Sequence, residues 1–136
     1  MGSWGSESFE NDDALDWAAE FKEASDHLRF LECTFEKLEN CEVADAELEA
    51  KGIAAAEAVA ALFGSPNKDV DPEVIQIVKQ FARSASLKRL ALDAVTRIEQ
   101  KSELRDLWAE TNLNNWLSAI KDLRMRLSQV NLTSQP

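Results

Sequence analysis

Gly52-Ile53-Ala54-Ala55-Ala56-Glu57-Ala58-Val59-Ala60-Ala61-Leu62-Phe63 is the stretch that decides the fold. Six of these twelve residues are alanine. Alanine has the highest intrinsic helix propensity, and its small side chain lets other helices approach closely from several directions. A helix of this composition belongs at the centre of a helical domain rather than on its surface. Gly64-Ser65-Pro66 follows at once, a stop signal with glycine at the end and proline just beyond. The spacing predicts a helix over 45–63 and a loop over 64–71.

Working outward, each flanking segment carries its own start signal and apolar stripe. On the N-terminal side, Leu28, Leu31, Phe35 and Leu38 recur at intervals of three and four, which predicts an amphipathic helix over 26–39. Asn40-Cys41-Glu42 ends it. Before it, Asn11, Asp12 or Asp13 caps a first helix. Leu15, Ala18 and Ala19 are expected on its buried side, with Trp17 and Phe21 on a neighbouring stripe. Ser25-Asp26 either breaks that helix or caps the next. The opening stretch, MGSWGSESFENDDALDW (residues 1–17), places Trp4, Phe9 and Trp17 around the cap. An ordered N-terminal segment over 1–12 is therefore expected, with Trp4 and Phe9 folded back onto the first helix.

On the C-terminal side, Asp71-Pro72 is an N-cap followed by proline at the first helical position. Val74, Ile75, Val78, Phe81 and Ala82 form the buried side of that helix. Ser84 or Ser86 caps the next, with Leu87, Leu90, Ala91, Ala94, Val95 and Ile98 inward. Ser102 opens a short segment through Trp108. Asn112 or Asn114 starts the last helix, whose seam is Trp116, Ile120, Leu123, Leu127 and Val130; Lys121, Arg124 and Arg126 fall off that seam. Residues 131–136 form a polar tail expected to fray. No segment alternates with period two, so no strand competes. The fold class is all-α: one domain over 1–136 of five to seven antiparallel helices, either a bundle or a short stack of helix pairs.

Charge narrows the function. The 136 residues carry a net charge of −10, and it is uneven. Residues 1–72 hold 18 acids and 5 bases, residues 73–136 hold 7 acids and 10 bases. The acidic half disfavours nucleic acid and anionic membrane surfaces and favours a basic protein partner, although acidity can also serve solubility alone. No apolar run is long enough to cross a membrane, and no secretory signal opens the chain. Cys33 and Cys41 sit eight apart in one helical stretch, roughly 12 Å along its axis, too far for a disulfide. Free thiols and the lack of a leader predict a cytoplasmic location.

The opening residues resemble the bacterial family of domain of unknown function 4259. The resemblance rests on Gly2, Trp4, Gly5, Phe9, Asn11, Asp12, Ala14, Asp16 and Trp17. It continues into the alanine-rich helix, into Ser102-Glu103-Leu104 with Leu107-Trp108, and to Trp116. Ser6 departs from the threonine expected there. The resemblance implies a small bacterial cytosolic protein and carries no activity to any residue.

Catalytic chemistry finds few candidates. Glu20, Glu23 and His27 share one helical side and supply half of a carboxylate–histidine metal site, but no second histidine exists. Asp12, Asp13 and Asp16 suit either helix capping or a hard cation. No phosphate-cradling glycine loop is present. No catalytic residue, cofactor or metal is expected. The leading expectation is a non-enzymatic protein that docks a basic partner through Glu32, Glu36, Glu39, Glu42, Asp45 and Glu49. One concrete form is an immunity protein that neutralises a basic toxin such as a nuclease. The alternatives are a module that self-associates, as a homodimer, through the 116–130 seam, and a metal-dependent enzyme built on Glu20, Glu23 and His27.

Overall fold

The computed structural model describes residues 5–129. Within them the chain forms seven helices and no strand: α1 Asp12–Glu23, α2 His27–Asn40, α3 Ala46–Leu62, α4 Pro72–Val78, α5 Ala85–Gln100, α6 Glu103–Ala109 and α7 Leu113–Gln129. Trp4 and Val130 lie outside the described residues.

The starts follow local chemistry. Asn11, Asp26, Asp45, Asp71, Ser84 and Ser102 each accept a hydrogen bond from a first-turn amide of the helix they precede. Asn112 does the same for the amide of Asn115. These bonds satisfy donors that the helical ladder leaves unpaired. At the end of α3, Gly64 takes a left-handed φ of 97°, a turn where glycine carries no Cβ penalty. Arg83 then donates to the last carbonyl of α3, Leu62 O, at 3.1 Å.

α3 is the axis of the molecule. It packs against all six other helices, and every residue from Gly52 to Leu62 is buried. Alanine makes this possible, because close packing on several sides requires that the helix add little bulk of its own. The approach is tightest at Gly52, where a Cβ would stand 2.3 Å from Leu38 Cδ1 of α2. The larger core side chains come from the surrounding helices: Trp17 and Phe21 from α1, Leu31, Phe35 and Leu38 from α2, Ile98 from α5, Leu123 and Leu127 from α7. Each such side chain contributes roughly 1.5–3 kcal/mol by leaving water.

An aromatic cluster joins α1 to α2. Trp17 stacks on Phe21 with ring centres 5.0 Å apart, and Phe30 tilts against both. The Trp17 indole N–H donates to Thr34 Oγ1 at 2.8 Å, which removes the penalty of burying it. Phe9 is buried as well, in the segment leading into α1.

Several details differ from expectation. α4 ends at Val78, so Phe81 and Ala82 lie beyond it, and Ala82 is exposed. Leu15 and Ala19 face outward, and the buried side of α1 is Ala14, Trp17, Ala18 and Phe21. Leu28 is exposed, so the α2 stripe runs through Leu31, Thr34, Phe35 and Leu38. The α7 seam of Trp116, Ile120, Leu123 and Leu127 is buried within this one chain, where α7 packs on α5, α3 and α6. Dimerisation through that seam is therefore withdrawn, since its apolar surface is already covered.

Candidate functional site

The six acids expected to form one docking surface are differently engaged. Arg29 grips Glu36 with two parallel bonds of 3.0 Å and lies 3.7 Å from Glu32. That pairing neutralises part of the outer side of α2. Asp45 is the N-cap of α3. Glu49 is buried and accepts the Leu104 amide N–H at 2.9 Å, so it is withdrawn as a partner contact. In exchange, Glu103 accepts the Ala46 amide N–H at 2.7 Å. The starts of α3 and α6 thus cap each other, each with a carboxylate on the other's positive end. Burial pushes the Glu49 carboxyl above the ordinary glutamate value, against the lowering effect of the Leu104 and Glu103 amides. Only Glu39 and Glu42 stay exposed without a partner among the described residues.

The concentrated acidic surface lies on α1 instead. Asp12, Asp16, Glu20 and Glu23 are all exposed, and none forms an ion pair among the described residues. Their spacing of four and three places them in one row along the helix. Leu15, 45% exposed, sits beside Asp12 and Asp16. The field of this row registers on Asp13. Its carboxyl is raised above the ordinary aspartate value, first by partial burial, then by Glu47, Asp16 and Asp12, with Lys51 opposing. The two acids nearest the start do favour the helix dipole, as their position predicts. Glu20 and Glu23, in the last two turns of α1, lie too far along to share that role, and their continuation of the Asp12 and Asp16 spacing by four and three is the signal the sequence carried.

The chain also holds a buried charged centre that periodicity alone passes over. Glu57 of α3 is fully buried. Arg126 of α7 grips it through two bonds, Nη1 to Oε1 at 2.8 Å and Nη2 to Oε2 at 3.0 Å. Ser8 donates its hydroxyl to Glu57 Oε2 at 2.6 Å, and Asn67 donates at 3.4 Å. Arg126 Nη1 also reaches Ser65 O at 3.0 Å, and its Nε donates to Asp122 at 2.8 Å. Burial works against the Arg126 charge, but the bond and the charge of Glu57, then Asp122, hold its pKa above the ordinary value. One carboxylate therefore ties together the segment before α1, the loop after α3 and the last helix. Arg126 was expected off the buried seam; it stands at the seam's edge and reaches inward. The signal was a lone glutamate inside an alanine run, which demands a cation or several donors when buried.

His27 Nε2 lies 3.3 Å from the Lys22 carbonyl and its ring packs 5.5 Å from Phe21, at the corner between α1 and α2. No cluster of three or more His, Cys, Asp or Glu side chains among the described residues is arranged to hold a metal ion. Cys33 and Cys41 are free. The cleft between residues 5–8, Ile53, Trp108 and Trp116 has a volume of about 40 Å³, room for one or two waters rather than an organic substrate. No helix among the described residues is long and apolar enough to cross a membrane.

These features define a small all-helical domain wrapped around one central helix and pinned by a buried arginine–glutamate fork. The chain belongs to the family of domain of unknown function 4259 (DUF4259), whose model matches residues 2–119. Arg126 lies beyond the matched span. Neither a curated protein nor a solved structure matches the chain.

Proposed function

We propose that this protein is a non-enzymatic binding protein of the bacterial cytosol that docks a basic protein partner against the outer face of α1. The observation that carries this reading is the row Asp12, Asp16, Glu20 and Glu23, exposed and without an ion pair among the described residues, with the exposed Leu15 flanking its start. The row presents four carboxylates on one side of α1, and Leu15 offers an apolar anchor at its edge. Such a surface steers a cationic partner toward it and fixes its orientation, while the apolar anchor holds the complex once formed. An immunity protein is the concrete form of this function. A nuclease toxin needs a basic cleft for phosphates, and an acidic helix that enters the cleft competes with its substrate. Glu39 and Glu42 extend the negative potential without forming part of the anchor. Of the alternatives, self-association through α7 is opposed by the burial of its seam, and a metal enzyme on Glu20, Glu23 and His27 by the placement of His27.

The test is an affinity capture from the native cytosol at low salt, with a salt gradient to elute and the variant Asp16→Lys/Glu20→Lys as the control bait. Both positions are exposed, so the variant folds. A basic protein retained by the wild type, released as salt rises and lost with the variant, is the expected result. Retention of the same protein by both baits, or elution independent of salt, overturns the proposal.

A further inference from the structure

On a chain of net charge −10, one groove has the opposite sign. It runs between α5, α6 and α7 with a volume of about 620 Å³ and is lined by Thr96, Glu99, Gln100, Arg105, Leu117, Lys121 and Arg124. Thr96, Glu99 and Gln100 are one side of α5 at i, i+3 and i+4. Leu117, Lys121 and Arg124 are one side of α7 at i, i+4 and i+7. Arg105 enters from α6. The helix packing that builds the core therefore also brings three cations and a single carboxylate to one place.

The cations are not equally occupied. Arg124 holds Glu99, with Nε to Oε1 at 2.8 Å and Nη2 to Oε2 at 3.4 Å. Lys121 is exposed and has no acceptor among the described residues. Arg105 is half-buried, and its Nε is shielded from water with no hydrogen-bond acceptor. Among the buried side-chain polar atoms described, it is the one without a partner. A shielded, unpaired donor of this kind is uncommon in folded proteins, and one on a guanidinium is the more so. No carboxylate or carbonyl among the described residues accepts from it. Three cations against one carboxylate leave the groove itself with a net charge of +2.

We infer that this groove is a binding site for a phosphate monoester carried on a small organic group. The Nε of Arg105 is closed off from the groove, so its two Nη groups are the donors for phosphoryl oxygens, and Lys121 adds a point charge. Thr96 and Gln100 offer neutral hydrogen-bonding groups for the rest of the ligand, and Leu117 offers it an apolar wall. Arg124, held by Glu99, sets the field without needing to move. The volume falls in the usual range for small-molecule sites, and far exceeds what bare phosphate requires. This site is separate from the α1 face and stands or falls independently of the docking proposed there.

The experiment titrates the full chain with phenyl phosphate and with inorganic phosphate at constant ionic strength. The reporters are the Nε–H resonance of Arg105 by NMR and the melting temperature. Phenyl phosphate is expected to shift the Arg105 resonance saturably and to raise the melting temperature, with inorganic phosphate weaker. Arg105→Gln and Lys121→Ala, both checked for a native amide spectrum, are each expected to weaken binding about tenfold or more, the loss of one charge-assisted contact. Binding of the monoester should also fall as the pH drops through about 6, where its second ionisation is lost. An Arg105 resonance that does not move at millimolar phenyl phosphate overturns the site. So does an equal response in the folded Arg105→Gln variant, or an equal response to chloride, which would mark screening alone.

Discussion

Two of the molecule's arginine–glutamate forks stand in opposite surroundings. Arg29 and Glu36 form a two-bond fork on the surface of α2, with side chains 55% and 43% exposed. Arg126 and Glu57 form a two-bond fork between α7 and α3, with side chains 15% and 0% exposed. Their bond lengths are nearly identical, so geometry does not distinguish them. Surroundings do. Water replaces either partner of the first fork with little loss, and salt screens it. Nothing replaces a partner of the second, because each charge has already lost its hydration and depends on the other. The surface fork also joins residues of one helix that would be near each other in any case. The buried fork joins positions 69 apart in sequence, so it selects one arrangement of chain segments over others.

The sharpest way to break this comparison is to remove one partner from each fork. Arg126→Met should destabilise the protein by about 3–5 kcal/mol in urea unfolding, since it leaves the Glu57 charge buried without its cation. The double variant Glu57→Leu/Arg126→Met should recover most of that loss. Ser8 and Asn67 would still lack their acceptor, so recovery stays incomplete. A double variant no more stable than the single one would show that the fork is a net source of stability rather than of specificity.

Glu49 sharpens the contrast further, as a buried carboxylate held by amides rather than by a cation. Its pKa is raised in the fold. The protonated form is thus the better tolerated one, and the contribution is present at low pH and lost as the pH rises through the raised value. Glu49→Gln keeps an acceptor for the Leu104 amide and removes the titration. The stability difference between variant and wild type, followed by melting at successive pH values, should therefore shift in the variant's favour as the pH rises above the ordinary glutamate range. A difference that is flat with pH would mean that burial and the amide bonds cancel, and one that moves in the wild type's favour would mean that the amides dominate. The smallest effect belongs to the surface fork. Arg29→Ala should leave the melting temperature unchanged within measurement at physiological salt, and a clear drop would overturn the distinction drawn between the two forks.

Most of the fold was legible in the sequence because it rests on local signals. Asp45, Asp71-Pro72, Ser84 and Ser102 announce helix starts within a few residues of the bonds they make, and the alanine run announces the central helix. Leu15 and Leu28 were misplaced because a three-four spacing is satisfied by two adjacent stripes, and only the neighbours decide which is buried. The charged centre was not legible. Glu57 finds its cation 69 positions away, and no local pattern encodes a pairing at that distance. The acids of α1 were visible, but the sequence reading divides them between capping or a hard cation (Asp12, Asp13 and Asp16) and a half-site with His27 (Glu20 and Glu23), and so does not join them into one row.

The exchange of carboxylates between Glu49 and Glu103 has a consequence for the order in which the molecule opens. α6 has only seven residues, too few to persist as an isolated helix. Its Leu104 amide is held from position 49, and the Ala46 amide is held from position 103. Neither helix start can loosen without unsealing the other. Hydrogen exchange at these two amides should therefore proceed at a common rate, set by cooperative opening of α3 and α6 together rather than by fraying of either end. A seven-residue helix near the surface would in this way inherit the protection of the most deeply buried helix in the chain.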